Sequence, residues 1–257
     1  MKKGMLITAI LVAAMLRPCS MSATADTEPT ASMASMTAAQ LESQGDTLRA
    51  QRDYLEAIRY YKAATQKDAR NSMLYNKIGI VELRLGHDDA AETNFQKAVK
   101  VNDKNAHALN NLGVVAFSHK NYGKSVKYYK KALAVEETNA VYHSNLGTAW
   151  FSENKLDRAM AEYARAIELD PEVFLKSSQT GSIARIASAE DRAKYEFVLA
   201  KLYAQRGDFE RCFQWLQKAK EDGYNNLKDV YKDAEFAKIR QDPRLAQIVP
   251  PPAAAGY

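Results

Sequence analysis

Four glycines, Gly45, Gly79, Gly113 and Gly147, follow one another at intervals of 34 residues, and no other feature limits so strongly what this chain can fold into. Other columns keep the same step. With each unit numbered from Ala38, Ser72, Ala106 and Ala140, the glycines take position 8. Position 20 then holds Ala57, Ala91, Ser125 and Ala159, position 24 holds Tyr61, Phe95, Tyr129 and Tyr163, and position 27 holds Ala64, Ala98, Ala132 and Ala166. A period of this length belongs to a supersecondary unit that cannot bury its apolar side alone and stacks on its neighbours to build one continuous core. Glycine inside a helix costs roughly 0.5 to 1 kcal/mol relative to alanine. A column of four therefore predicts a compensating close approach between two antiparallel helices, with the small residues at positions 8, 20 and 27 receiving the large one at position 24.

These residues carry a resemblance to tetratricopeptide repeats, whose pattern has Leu-Gly at positions 7 and 8, an aromatic at 11 and 24, Ala at 20 and 27, and Pro at 32. Asn111-Leu112-Gly113, Asn145-Leu146-Gly147 and Ala166-Ile167-Glu168-Leu169-Asp170-Pro171 fit it closely. A fifth copy is expected from about Ala193, with Leu199-Ala200, Tyr203, Gly207, Phe209, Cys212, Leu216 and Ala219 in register; the step from Gly147 to Ala200 is 53, an insertion of about 19 residues. Glu82 and Gln44 depart from the pattern, and Pro171 is the one proline at position 32. The resemblance spans residues 37–249 and implies an all-α, right-handed superhelical solenoid of helix-turn-helix repeats. Four repeats are expected over 37–172, an inserted loop over 173–192, a fifth repeat over 193–224 and a helical cap over 225–250, with Pro243 opening the last cap helix after Asp242. Residues 251–257 read as a frayed tail.

The two ends and the composition narrow the class further. Lys2 and Lys3 precede an apolar run from Met5 to Leu16, then Pro18 and the small residues Ala23-Thr24-Ala25, which is the layout of a secretory signal peptide with cleavage before Asp26. Residues 26–36 are small, polar and patternless and read as a flexible tether. The expected location is therefore periplasmic or secreted, with membrane contact only through the leader or a partner. Removing the leader leaves 33 basic against 31 acidic residues, too small an excess to argue for nucleic acid. It also removes Cys19, so Cys212 stands alone and no internal disulfide is expected.

Chemical motifs are few. Gly123-Lys124-Ser125 looks like the end of a phosphate-binding loop, but Ser118 stands where that loop needs its first glycine. Cys212 occupies the small position 20 and reads as core filler. His87, His107, His119 and His143 show no metal-ligand spacing, and no cofactor is expected. Lys124, Lys127, Lys130 and Lys131, interleaved with Tyr128 and Tyr129, form a basic convex surface whose default is a solvated face. The insertion, with Ser177 to Ser182, reads as a spacer holding a short helix near 183–188 or as a flap over the groove. An enzyme using Ser178 or Ser182 is the rival from another class, although no base accompanies either.

The expected site is the concave side, formed by positions 2, 5, 6, 9, 12 and 13 of each first helix. It takes Met73, Asn76, Lys77, Ile80, Leu83 and Arg84 from the second repeat. The third gives His107, Asn110, Asn111, Val114, Phe117 and Ser118, and the fourth Val141, Ser144, Asn145, Thr148, Phe151 and Ser152. Asn111 and Asn145 would pair with the backbone of an extended peptide while Phe117 and Phe151 receive its side chains. The resemblance implies the same use of asparagine at position 6. The expected activity is a non-enzymatic scaffold for peptide segments or partner proteins, the alternative being a subunit of an envelope assembly such as a pilus or secretion apparatus.

Overall fold

A computed structural model describes residues 31–175 and 188–251, and every regular element in them is helical. After α1 (Ala31–Ser35) come four hairpins: α2 (Ala38–Ala50) with α3 (Tyr54–Lys67), α4 (Ser72–Leu85) with α5 (Asp88–Val101), α6 (Ala106–Ser118) with α7 (Tyr122–Val135), and α8 (Ala140–Ser152) with α9 (Leu156–Leu169). A fifth pairs α10 (Ala189–Arg206) with α11 (Phe209–Glu221). Two 3-10 helices (Leu227–Tyr231 and Ala234–Ile239) and α12 (Pro243–Ile248) end the described chain. Each second helix packs on its own partner and on the first helix of the next hairpin, the stacking of a solenoid.

The local sequence sets these boundaries. Thr37, Asn71, Asn105 and Asn139, again 34 apart, cap the first helices by accepting from backbone N–H groups of the first turn. Each hairpin turn places one residue in the left-handed region at the same position of the repeat: Arg52, Gly86, Lys120, Asn154 and Gly207. Glycine adopts that conformation freely, whereas Arg52 and Lys120 hold it against a steric cost of about 1 kcal/mol.

The glycine column does what its cost implies. A Cβ at Gly45, Gly79, Gly113 or Gly147 would lie 2.4–2.6 Å from the nearest ring atom of Tyr61, Phe95, Tyr129 or Tyr163, respectively. All four rings are fully buried, as are the alanines of position 27. In the fifth hairpin the pair is Ala200 with Leu216, both without solvent contact, so a smaller knob accompanies a shallower hole.

Two expectations change. Part of the expected flexible tether is α1, which buries Met33 in the same apolar cluster as Leu41, Ile58 and Tyr61; an anchor of this kind covers the open end of the first repeat. Helix α10 begins at Ala189, one turn before the expected start, because Ser188 caps it by accepting from Asp191 N. Of the three short helices expected at the C-terminal end, the first two are 3-10 helices and the third is α12, which Asp242 caps with Pro243 in its first turn. This segment packs on α10: Phe236 lies against Phe197, and Lys201 bridges Asp233 and Glu235. The leader with Ala23, Ala25 and Asp26, most of the insertion with Ser178 and Ser182, and the end of the tail lie outside the described residues.

Candidate interaction groove on the concave face

Position 5 of one repeat meets position 6 of the next. Asn111 Nδ2 donates to Asn76 Oδ1 at 2.9 Å, and Asn145 Nδ2 to Asn110 Oδ1 at 2.9 Å. At the same station between the first two repeats, Lys77 Nζ lies 2.6 Å from Glu42 Oε1 and 2.6 Å from Asp46 Oδ2. The concave positions thus form a ladder of inter-repeat pairs, ionic at the N-terminal end and amide further on. The Asn110-Asn111 doublet, flanked one repeat away by Asn76 and Asn145, is the sequence signal for this pairing, and inspection of single columns misses it.

The ladder continues inward. Tyr61 Oη donates to Asp46 Oδ1 at 2.7 Å, so Asp46 accepts from two groups. Burial alone would raise the Asp46 pKa, but the bonds from Lys77 and Tyr61 outweigh it and hold the carboxyl below its usual range. Burial likewise opposes charge on Lys77, and the Asp46 and Glu42 carboxylates overcome it and raise its pKa. The coupling between the first two repeats therefore rests on a charged network, half-exposed and open to screening by salt.

The expected groove residues fall into two groups. Met73, Arg84, His107 and Ser118 are exposed, and Lys77, Ile80, Leu83, Asn111, Val114, Val141 and Ser152 are partly so. Asn76, Asn110, Ser144, Asn145, Thr148, Phe117 and Phe151 are buried. Direct contact of Asn145 with a bound peptide main chain, expected from its position, does not fit this burial: its amide serves the inter-repeat ladder. Phe117 and Phe151 pack inside, Phe117 against Tyr122 and Phe151 edge-on to Tyr195, and so are not open side-chain receptors. Thr148 accepts from Tyr163 Oη at 3.3 Å, and Ser144 donates to Val141 O. His107 meets Tyr142 Oη at 2.8 Å. What remains accessible is a surface on the second and third repeats, apolar at Met73, Ile80, Leu83 and Val114 and polar at Lys77, Arg84, His107 and Asn111.

The other candidates take structural roles. Ser125 is fully buried and donates to Gly113 O at 2.9 Å, and Lys124 pairs with Glu92 at 2.8 Å, so neither lies in a phosphate cradle. Cys212 has no solvent contact, and burial, reinforced by the Asp208 charge, pushes its thiol up to about 12, away from nucleophilic behaviour. His87, His119 and His143 each approach one carboxylate, of Glu82, Asp88 and Glu162, pairings across turns and helices that linear spacing hides. Among the described residues no three His, Cys, Asp or Glu side chains converge on a metal-sized site, and no helix is long and apolar enough to cross a membrane.

Against known proteins, the tetratricopeptide repeat family model matches residues 43–92, 76–140 and 122–173, together about half of the chain. Among solved structures, MamA residues 41-end from Desulfovibrio magneticus RS-1 superposes with a TM-score of 0.51 at 20% identity, covering 72% of this chain and 93% of that one. Another MamA structure gives 0.50 at 20% identity, covering 77% and 95%. These likenesses are of fold. No curated protein matches the sequence significantly.

Proposed function

Because the chain belongs to the tetratricopeptide repeat family, we propose that it is a protein-interaction scaffold. It holds an extended segment of a partner against the concave face of its second and third repeats and performs no bond chemistry. One observation carries this reading: Met73, Ile80, Leu83 and Val114 leave apolar surface open on first helices whose neighbouring positions offer Asn111, Arg84 and His107. Apolar surface in a concave setting favours side chains of a ligand, while an amide, an imidazole and a guanidinium beside it bind main-chain carbonyls and carboxylates. The ladder below fixes the spacing of successive first helices, so the face is organised before a ligand arrives and binding orders little of the protein. The expected export through residues 1–25 belongs to the same reading and places the partner in the periplasm or outside the cell.

Photo-reactive residues installed one at a time at Met73, Leu83 and Arg84, with Lys97 as a position outside the groove, test it. Partner adducts are expected at the three groove positions and absent at Lys97. Adducts at Lys97 alone would place the interaction elsewhere. N-terminal sequencing of the protein from its native source tests export: a chain that begins at Asp26 supports it, and one that retains Met1 opposes it.

A further inference from the structure

We propose that the outer face of the third and fourth repeats is a second docking surface, which takes an extended acidic polypeptide segment. Its centre is Trp150. This side chain is only 6% exposed, yet three cations from three separate places converge on its ring: Lys130 Nζ of α7 at 5.3 Å, Lys155 Nζ from the α8–α9 turn at 4.7 Å, and the Arg158 guanidinium of α9 at 4.9 Å from the ring centroid. The negative ring face attracts each of them. That attraction assembles like charges within about 10 Å of one another, a distance over which their fields add at ordinary ionic strength.

Their neighbours neutralise one of the three. Lys155 has a counter-ion in Glu153 at 2.8 Å. Lys127, Lys130, Lys131 and Arg158 are all exposed and have no ion pair among the described residues. The surface thus carries an excess of positive charge that the whole-chain balance conceals.

The arrangement favours an acidic peptide over other polyanions. Lys127 and Lys131 are one helical turn apart, roughly 6 Å between their Cβ atoms. An extended chain places alternate side chains about 6.6 Å apart on the same side, so carboxylates at every second residue match that step. Among the described residues of this surface no open aromatic face is available for base stacking, since the Trp150 ring is nearly buried and Tyr128 is half-buried with Lys124 and Lys131 over its ring.

Trp150 supplies the readout. The chain has two tryptophans, and Trp215→Phe leaves Trp150 as the only one. The full chain carrying that change is titrated with an octaglutamate peptide, followed by Trp150 emission and by anisotropy of the labelled peptide. Saturable binding is expected, weakened about tenfold by Lys127→Glu with Lys131→Glu, equivalent to about 1.4 kcal/mol. Lys228→Glu with Lys238→Glu makes the same change in net charge elsewhere and should leave binding within about twofold of the parent. Equal losses in the two double variants, or no saturable binding to the parent, would refute a localised site. Tighter binding to phosphatidylserine vesicles or to oligothymidylate than to octaglutamate would overturn the assignment of the partner class.

Discussion

Asn145 Nδ2 donates to Asn110 Oδ1 at 2.9 Å across a repeat boundary, and the two side chains are 0% and 7% exposed. The pair is thus a joint between repeats. Replacing Asn145 leaves the buried Asn110 Oδ1 without this donor, and a buried group so deprived costs about 1 to 3 kcal/mol. Asn145→Ala should therefore lower the denaturant midpoint by an amount in that range. A double-mutant cycle with Asn110→Ala should give a coupling near 1 kcal/mol. A surface-like response to Asn145→Ala, under about 0.5 kcal/mol, would show that the joint contributes nothing.

Gly113→Ala places a Cβ 2.4 Å from the ring of Tyr129, a side chain with no solvent contact. Overpacking of this kind costs about 1 to 3 kcal/mol, and Gly113→Leu should cost more. The fifth hairpin carries the compatible combination, Ala200 with Leu216, so Tyr129→Leu should recover part of the loss in Gly113→Ala. Thermal unfolding of the two single variants and the double variant checks this; a double variant no better than the sum of the singles contradicts it.

Position 9 decides whether the tyrosine at position 24 finds a partner. Asp46 accepts from Tyr61 and Thr148 from Tyr163, whereas the third repeat has Val114 there. Among the described residues the buried Tyr129 hydroxyl has no partner in hydrogen-bonding geometry, its neighbour Ser125 donating to Gly113 O instead. Removing an orphaned hydroxyl is neutral or favourable, so Tyr129→Phe should change stability by no more than about 0.5 kcal/mol or raise it. Tyr61→Phe should lower it by about 1 kcal/mol. Urea unfolding of both variants should rank them in that order.

Glu196 is 7% exposed on α10, and burial, then the charge of Asp222, push its carboxyl from 4.5 up to about 7. The native protein keeps a proton that the unfolded chain releases between those two values, so the contribution of this group to stability falls as pH rises through the window. Glu196→Gln removes the ionisation. The variant should gain stability over the parent at pH 8, by on the order of 1 to 3 kcal/mol, and little at pH 4. A gain equal at both pH values would show that ionisation of Glu196 is not responsible.

The sequence alone determines the helix pairs, their period and the contact inside each of them. The hairpin brings position 8 against position 24, and against an aromatic ring only glycine leaves room there, so Gly45, Gly79, Gly113 and Gly147 declare the packing before any coordinate exists. The fifth copy, weaker in its columns, is legible because Cys212, Leu216 and Ala219 fill the same small and large sites. Which concave residues face solvent is another matter. Asn111 and Asn145 stand at the same position and look alike as sequence, yet one is partly accessible and the other fully buried, because exposure depends on what neighbouring units place over each repeat. The convergence of Lys130, Lys155 and Arg158 on Trp150 is equally invisible along the chain. It arises when stacking sets α7 beside the next hairpin, and a contact between units obeys the geometry of the stack rather than the period of any one of them.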